Sequence, residues 1–190
     1  MNQNLAYQEA YWEELIGGKL VAMSPRPVVN HSRISGNIYK IFSNFLNGKP
    51  CEAFPDGVDL YLTEEDQYIP DGMVVCDPDK IRPNGVYGAP DLVVEVLSPS
   101  TAGIDRGRKK DVYERCGVRE YWIVSPAEKT VEQYLLRDGV LRHHQTYAVF
   151  PDWMLEKMKP EERASVVTEF KCSLYDDLTI RLEDVFARVR

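Results

Sequence analysis

The run Asp91-Leu92-Val93-Val94-Glu95-Val96-Leu97 decides the fold. It is apolar on both alternating faces, the pattern of a strand covered on each side by another layer. Ile69-Pro70-Asp71-Gly72-Met73-Val74-Val75 repeats that pattern, and each run carries one acid inside it, Glu95 and Asp71. A carboxylate withdrawn from water costs several kcal/mol unless it is compensated, and unpaired it protonates instead. A cation between the two acids removes the conflict. The competing reading makes both of them edge or turn acids paired with arginines, and Pro70-Asp71-Gly72 is by itself a favoured turn sequence.

Working outward, Tyr7 to Ile16 has helical apolar spacing stopped by Gly17-Gly18, Lys19 to Met23 reads as a strand, and Ser24-Pro25-Arg26-Pro27 as a turn. Ile34, Ile38, Ile41, Phe42, Phe45 and Leu46 form one stripe of a helix from Asn30 to Asn47. Strands are expected at Val58 to Leu62, Ile69 to Val75 and Asp91 to Leu97, with an irregular linker from Asp77 to Pro90. Asp105 to Cys116 is a helix closed by Gly117, and strands follow at Glu120 to Val124, Val131 to Leu136 and about Val140 to Tyr147. Pro151 to Ala164 reads as a helix, and Leu178 to Phe186 as a strand with a short amphipathic turn. This order describes an α/β fold, a mixed β-sheet flanked by helices.

At 190 residues, with 44% hydrophobic and 11% aromatic content, the chain suffices for one core and is short for two, so one domain over 1–190 is expected. No run approaches the roughly 18 apolar residues of a membrane span, and Met1-Asn2-Gln3-Asn4 does not open a signal peptide, so a cytoplasmic protein without membrane contact is expected. Cys51, Cys76, Cys116 and Cys172 form no CxxC pair and read as reduced, mostly buried thiols. The net charge of −7 argues against a protein that coats nucleic acid, yet allows a local basic patch. Glu13, Glu14, Glu64, Glu65, Asp66, Glu161 and Glu162 read as solvated surface. Neither a Gly-x-Ser-x-Gly elbow nor a phosphate-binding Gly-x-x-x-x-Gly-Lys loop occurs, and the three histidines have no triad spacing to Ser98 or Ser100.

If the two acid-bearing strands lie close in one sheet, Asp71 and Glu95 reach one metal, with the Val96 carbonyl as a third oxygen. Hard oxygen ligands favour Mg²⁺ or Mn²⁺, which keep waters and take one or two carboxylates plus substrate phosphate. Arg106, Arg108, Lys109 and Lys110 open the next helix, where Asp105 pairs with Lys109 at i, i+4. A solvated helix face is the usual fate of such a run; beside two acids it becomes a phosphate contact. His31 starts the long helix, as a capping residue or a phosphate contact. Asp91, following Pro90 at a strand start, reads as structural.

Pro70-Asp71, the stretch from Ala89 to Thr101, the spacing of Lys109 to Tyr113, and Gly117-Val118-Arg119-Glu120-Tyr121-Trp122-Ile123-Val124 together resemble the Uma-two family of restriction-endonuclease-like proteins, over about residues 8 to 185. The resemblance implies a core of the PD-(D/E)xK nuclease superfamily and Mg²⁺-dependent hydrolysis of DNA. Carried across, Asp71 is the first metal ligand and Glu95 the second. The family lysine stands two residues after the second acid, a position held here by Leu97. Its role passes to Lys109, with Lys110 as the fallback, while His31, Arg106, Arg108 and Lys110 meet phosphate. A homodimer presenting two sites to a duplex is expected. The alternatives are a retained nuclease fold that serves as a binding or regulatory protein, and a hydrolase of another phosphate-containing substrate.

Overall fold

The structure, a computed structural model, describes residues 13–23 and 28–190. Its centre is a six-stranded sheet in the order β12-β11-β10-β9-β6-β3. These strands are Val140–Ala148, Thr130–Arg137, Glu120–Ser125, Leu92–Val96, Gly72–Val75 and Glu52–Pro55 respectively. β9 and β10 run parallel and the remaining neighbours antiparallel, so the sheet is mixed. The doubly apolar strand pattern arises because both faces of β6, β9 and β10 are buried.

One face packs under helix α1, Val29–Leu46, through Ile34, Ile38, Phe42 and Leu46 at four-residue spacing. Trp122 links that helix to the C-terminal segment, with ring centroids 5.5 Å from Phe42 and 5.0 Å from Phe170. That segment contributes the hairpin β13, Glu169–Lys171, with β14, Thr179–Arg181, and the short helix α6, Leu182–Val185. The other face carries Met73, Val75, Val93, Tyr121 and Ile123 and lies against a second sheet and helix α3, Lys110–Cys116. Ala102–Ile104 (α2) and a π-helical stretch, Asp105–Lys109, lead into α3, which Gly117 closes in the left-handed region at φ 90°.

Of the second sheet only two strands were expected from the sequence, those at Lys19 to Met23 and Val58 to Leu62. Its order is β2-β1-β5-β4-β8-β7, built from Lys19–Ala22, Glu13–Ile16, Asp66–Tyr68, Leu60–Tyr61, Gly85–Tyr87 and Ile81–Arg82. Several expectations are corrected by it. The helix expected to reach Ile16 gives way to β1 over its described part, because Glu13 to Ile16 pairs with both β2 and β5; Tyr7 to Trp12 and the turn Ser24 to Pro27 lie outside the described residues. The irregular linker from Asp77 to Pro90 contains a 3₁₀ turn, Pro78–Lys80, as well as β7 and β8. The strand expected from Ile69 begins only at Gly72, and the helix expected from Pro151 to Ala164 is two short ones, α4 at Asp152–Leu155 and α5 at Pro160–Ala164, interrupted before Pro160. Cys51 and Cys76 flank the Glu52 and Val75 pair of neighbouring strands and form a disulfide instead of two free thiols; Cys116 and Cys172 are free. Among the described residues no helix is long and apolar enough to cross a membrane.

Glu120 is 0% exposed, and among the described residues no cation pairs with it. Neutral donors satisfy it instead: the Trp122 indole N–H and the Gln133 amide reach Oε1 at 2.6 Å each, and the Ser173 N–H reaches Oε2 at 2.7 Å, with the Ser173 hydroxyl beside it. This carboxylate bolts the C-terminal hairpin to the central sheet. Glu120→Ala leaves those buried donors without an acceptor and is expected to cost about 3–5 kcal/mol, read from urea denaturation. A loss below about 1 kcal/mol would contradict the bolt.

Candidate active site

Carrying the β6 and β9 register one step beyond the Gly72 and Val94 pair sets Asp71 alongside Glu95 at the open end of the sheet. Glu95 projects to the face that bears α3, as Val93 two residues before it does, whereas Asp71, one residue outside β6, reaches His31 of α1. Asp71 is fixed by its surroundings. Its Oδ2 accepts the Val96 N–H at 2.6 Å, its backbone carbonyl accepts the Ser35 hydroxyl at 2.8 Å, and its Oδ1 stands 3.3 Å from His31 Nε2.

Glu95 meets the helix on the other side. Its Oε1 accepts the Tyr113 hydroxyl at 2.7 Å and the Lys109 ammonium at 3.1 Å. Among the described residues its Oε2 accepts no hydrogen bond. Lys109, only 3% exposed, also reaches Glu14 at 2.9 Å and Asp105 at 3.7 Å. The expected Asp105 and Lys109 pair is therefore present, held in the π-helical stretch, a distortion that recurs at functional sites.

The other basic residues are each held by an acid. Arg106 pairs with Glu132, Arg108 with Asp66 at 3.3 Å, and Lys110 stands 4.0 Å from Glu114 and over the Tyr134 ring. Asp91 is structural, accepting the Cys76 N–H at 2.8 Å and pairing with Arg119. Glu14 and Asp66, read as solvated surface, are buried at 5% and 3% exposure. Asp66 accepts the Gly17 N–H and the Tyr68 hydroxyl as well as Arg108. Glu14 and Tyr113 were not anticipated as site residues. Tyr113 had a signal, standing four residues after Lys109 on one helix face, whereas Glu14 became visible only once β1 was known to be a strand.

The model of the Uma2 family, described as "Putative restriction endonuclease", matches residues 5–167. The chain belongs to this family. An uncharacterized Synechocystis protein, slr1290, is 34% identical over 127 residues, which make up 66% of this chain and 66% of that protein. A second, sll1609, is 28% identical over 125 residues, 64% of this chain and 70% of its own. The matched segment thus spans about two thirds of these relatives' length. The crystal structure of "a putative nuclease belonging to DUF820" from Anabaena variabilis resembles the chain with a TM-score of 0.64 at 19% identity, over 92% of this chain and 89% of that one. At that identity the likeness establishes the fold.

In this Uma2 chain, Glu14, Glu95 and Asp105 surround a single lysine and Asp71 stands beside Glu95, an excess of acid that suits a divalent cation. Among the described residues no group of three or more His, Cys, Asp or Glu side chains is arranged to hold a metal unaided. Two carboxylates with substrate and water are what Mg²⁺ takes, so Asp71 and Glu95 fit it. Burial lifts Glu95 well above the usual carboxylate range despite the Lys109 charge, and Asp105, Asp71 and Glu14 add to the rise. Burial likewise raises Asp105, with Lys109 opposing. For Lys109 burial acts downward, but Glu95, Glu14 and Asp105 outweigh it and the pKa rises, so the group stays an ammonium and cannot serve as a base. Burial also acts downward on His31, where Asp71, Asp56 and the Val96 carbonyl prevail and raise it; its Nδ1 is buried without a hydrogen-bond partner among the described residues.

A carboxyl whose folded pKa is raised favours the folded state below its unfolded value, and that contribution is lost as pH rises through the folded pKa. Glu95 and Asp105 behave this way, and losing the ammonium moves them further upward. Lys109→Met is therefore expected to cost about 3–5 kcal/mol at pH 8, and distinctly less at pH 5, where the stranded carboxyls protonate. Urea denaturation at the two pH values measures it; an equal or larger loss at pH 5 would count against the network.

Proposed function

We propose that the chain is a metal-dependent endonuclease that hydrolyses DNA phosphodiester bonds, with Asp71, Glu95 and the Val96 carbonyl holding Mg²⁺ or Mn²⁺. The observation that carries this reading is the Lys109 ammonium 3.1 Å from Glu95, supplied by a helix although Leu97 occupies the strand position expected for a lysine. Membership of a family of putative restriction endonucleases, and the likeness to the Anabaena putative nuclease, support nuclease chemistry and a nucleic-acid substrate. When bound, the metal polarises the phosphate and acidifies a coordinated water.

The chain's own residues prepare that chemistry. Tyr113, which burial keeps a neutral phenol, donates to Glu95 Oε1 and leaves Oε2 free for a cation. Lys109 presents a permanent positive charge beside the developing phosphate charge, where a preorganised donor stabilises the transition state. Arg106, Arg108 and Lys110 hold flanking phosphates by exchanging their present carboxylate partners, and His31 approaches from the α1 side. Because the net charge is −7, capture depends on this local basic stretch, and a homodimer would set two sites on a duplex.

A second reading has its own observation. Lys109 has three donors and three carboxylates around it, so a binding or regulatory protein that keeps the buried network for its structure is also consistent with the geometry. Cleavage of supercoiled and single-stranded DNA with Mg²⁺ or Mn²⁺ separates the two. Wild type is expected to cut, and Asp71→Asn, Glu95→Gln and Lys109→Ala each to lose about 10²- to 10³-fold in rate. Cleavage unchanged by all three substitutions, or absent from wild type, would favour the binding protein.

A further inference from the structure

We infer that Glu14 is a positioning residue of the site, setting where the Lys109 ammonium stands relative to Asp71 and Glu95. The catalytic consequence rests on the nuclease reading; the contact itself does not. A single oxygen, Glu14 Oε1, accepts both the Lys109 ammonium at 2.9 Å and the Ile69 N–H at 2.9 Å. Ile69 lies two residues before Asp71, so this oxygen ties the ammonium to the backbone that carries the first acid. The Lys109 contact with Glu95 ties it to the second. Two short bonds from one fixed oxygen thereby place a charge at the end of a long, flexible side chain.

Glu14 can act as a fixed point because β1 is itself held. Leu15 and Ile16 pair with Gln67 and Asp66 of β5, and the Gly17 N–H donates to Asp66 Oδ1 at 3.0 Å. Arg108, the neighbour of Lys109, reaches the same Asp66 oxygen. Its guanidinium lies over Gly17, where a Cβ would come within 2.6 Å of it and the backbone is left-handed at φ 61°. Consecutive residues of the helix therefore grip consecutive parts of one hairpin. Lys109 takes Glu14, and Arg108 takes the turn.

Glu14→Asp keeps the charge but withdraws the oxygen by one methylene, and Glu14→Gln keeps an oxygen in place but removes the charge. If position is what Glu14 supplies, Glu14→Asp lowers kcat by about 10²-fold, on the scale of a small misplacement, with KM little changed, and Glu14→Gln recovers most of the loss. The parallel readout is the ammonium resonance of Lys109 in ¹⁵N-lysine NMR of the metal-free, DNA-free protein, assigned through Lys109→Arg. That signal should be protected from exchange in wild type and Glu14→Gln and lost in Glu14→Asp. A Glu14→Asp protein with wild-type kcat and an intact Lys109 signal overturns the inference, as does a Glu14→Gln protein damaged in both as severely as Glu14→Asp. Should wild type cut no DNA while the NMR pattern holds, the nuclease reading fails and the Glu14 contact stands.

Discussion

The structure depends on a buried ammonium. Lys109 is almost wholly removed from water, which a charged group tolerates only where opposite charges and hydrogen bonds replace its hydration. Its three carboxylates arrive from β1, β9 and the π-helical stretch, three elements from different parts of the chain. Meeting that one electrostatic demand brings the second sheet, the central sheet and the helix to a common point. The acids depend on the lysine in turn, since Glu95 and Asp105 are driven toward neutrality by burial and the ammonium opposes it.

Tyrosines form the floor under this charge. Tyr68, Tyr113, Tyr121 and Tyr134 follow one another with centroid separations of 5.6, 5.1 and 6.1 Å, giving a contiguous aromatic layer between the central sheet and the helix. Their hydroxyls do the polar work. Tyr113 donates to Glu95, Tyr121 to the Asp105 carbonyl, and Tyr68 to Asp66. Burial raises all three phenols, so they remain neutral donors.

What could be read in advance followed local periodicity. α1 was legible because its stripe repeats at four-residue spacing from Ile34 to Leu46, and β9 because an unbroken apolar run has few other uses. Asp71 and Glu95 stood out as charges inside such runs, and the structure places them side by side. The second sheet left a weaker trace: β2 and β4 fall within expected strands, but β5, β7 and β8 have two or three residues each, too few for an alternation to register. Glu14 was hidden for the same reason. Its partner Lys109 is 95 positions away, and an acid beside another acid in Glu13-Glu14 resembles solvated surface until pairing turns one of them inward. The disulfide was likewise a matter of strand register, which no cysteine spacing reports.

The missing strand lysine explains why so many groups attend its replacement. Position 97 directly follows β9, where the Leu97 N–H bonds the Val124 carbonyl and the side chain packs against the apolar cluster that includes Tyr68, Tyr113 and Tyr121. A lysine there would inherit the rigidity of the sheet and a fixed distance to Glu95. Lys109 instead reaches Glu95 across a loop whose hydroxyls, Ser98, Ser100 and Thr101, close on one another, and through a helical stretch with π geometry. Each adds freedom that the strand would not have had. Glu14 and Asp105 remove it from either side of the ammonium, and Arg108 holds the adjacent turn on Asp66. Moving the charge from strand to helix therefore transfers the task of placing it from backbone hydrogen bonds to side-chain carboxylates.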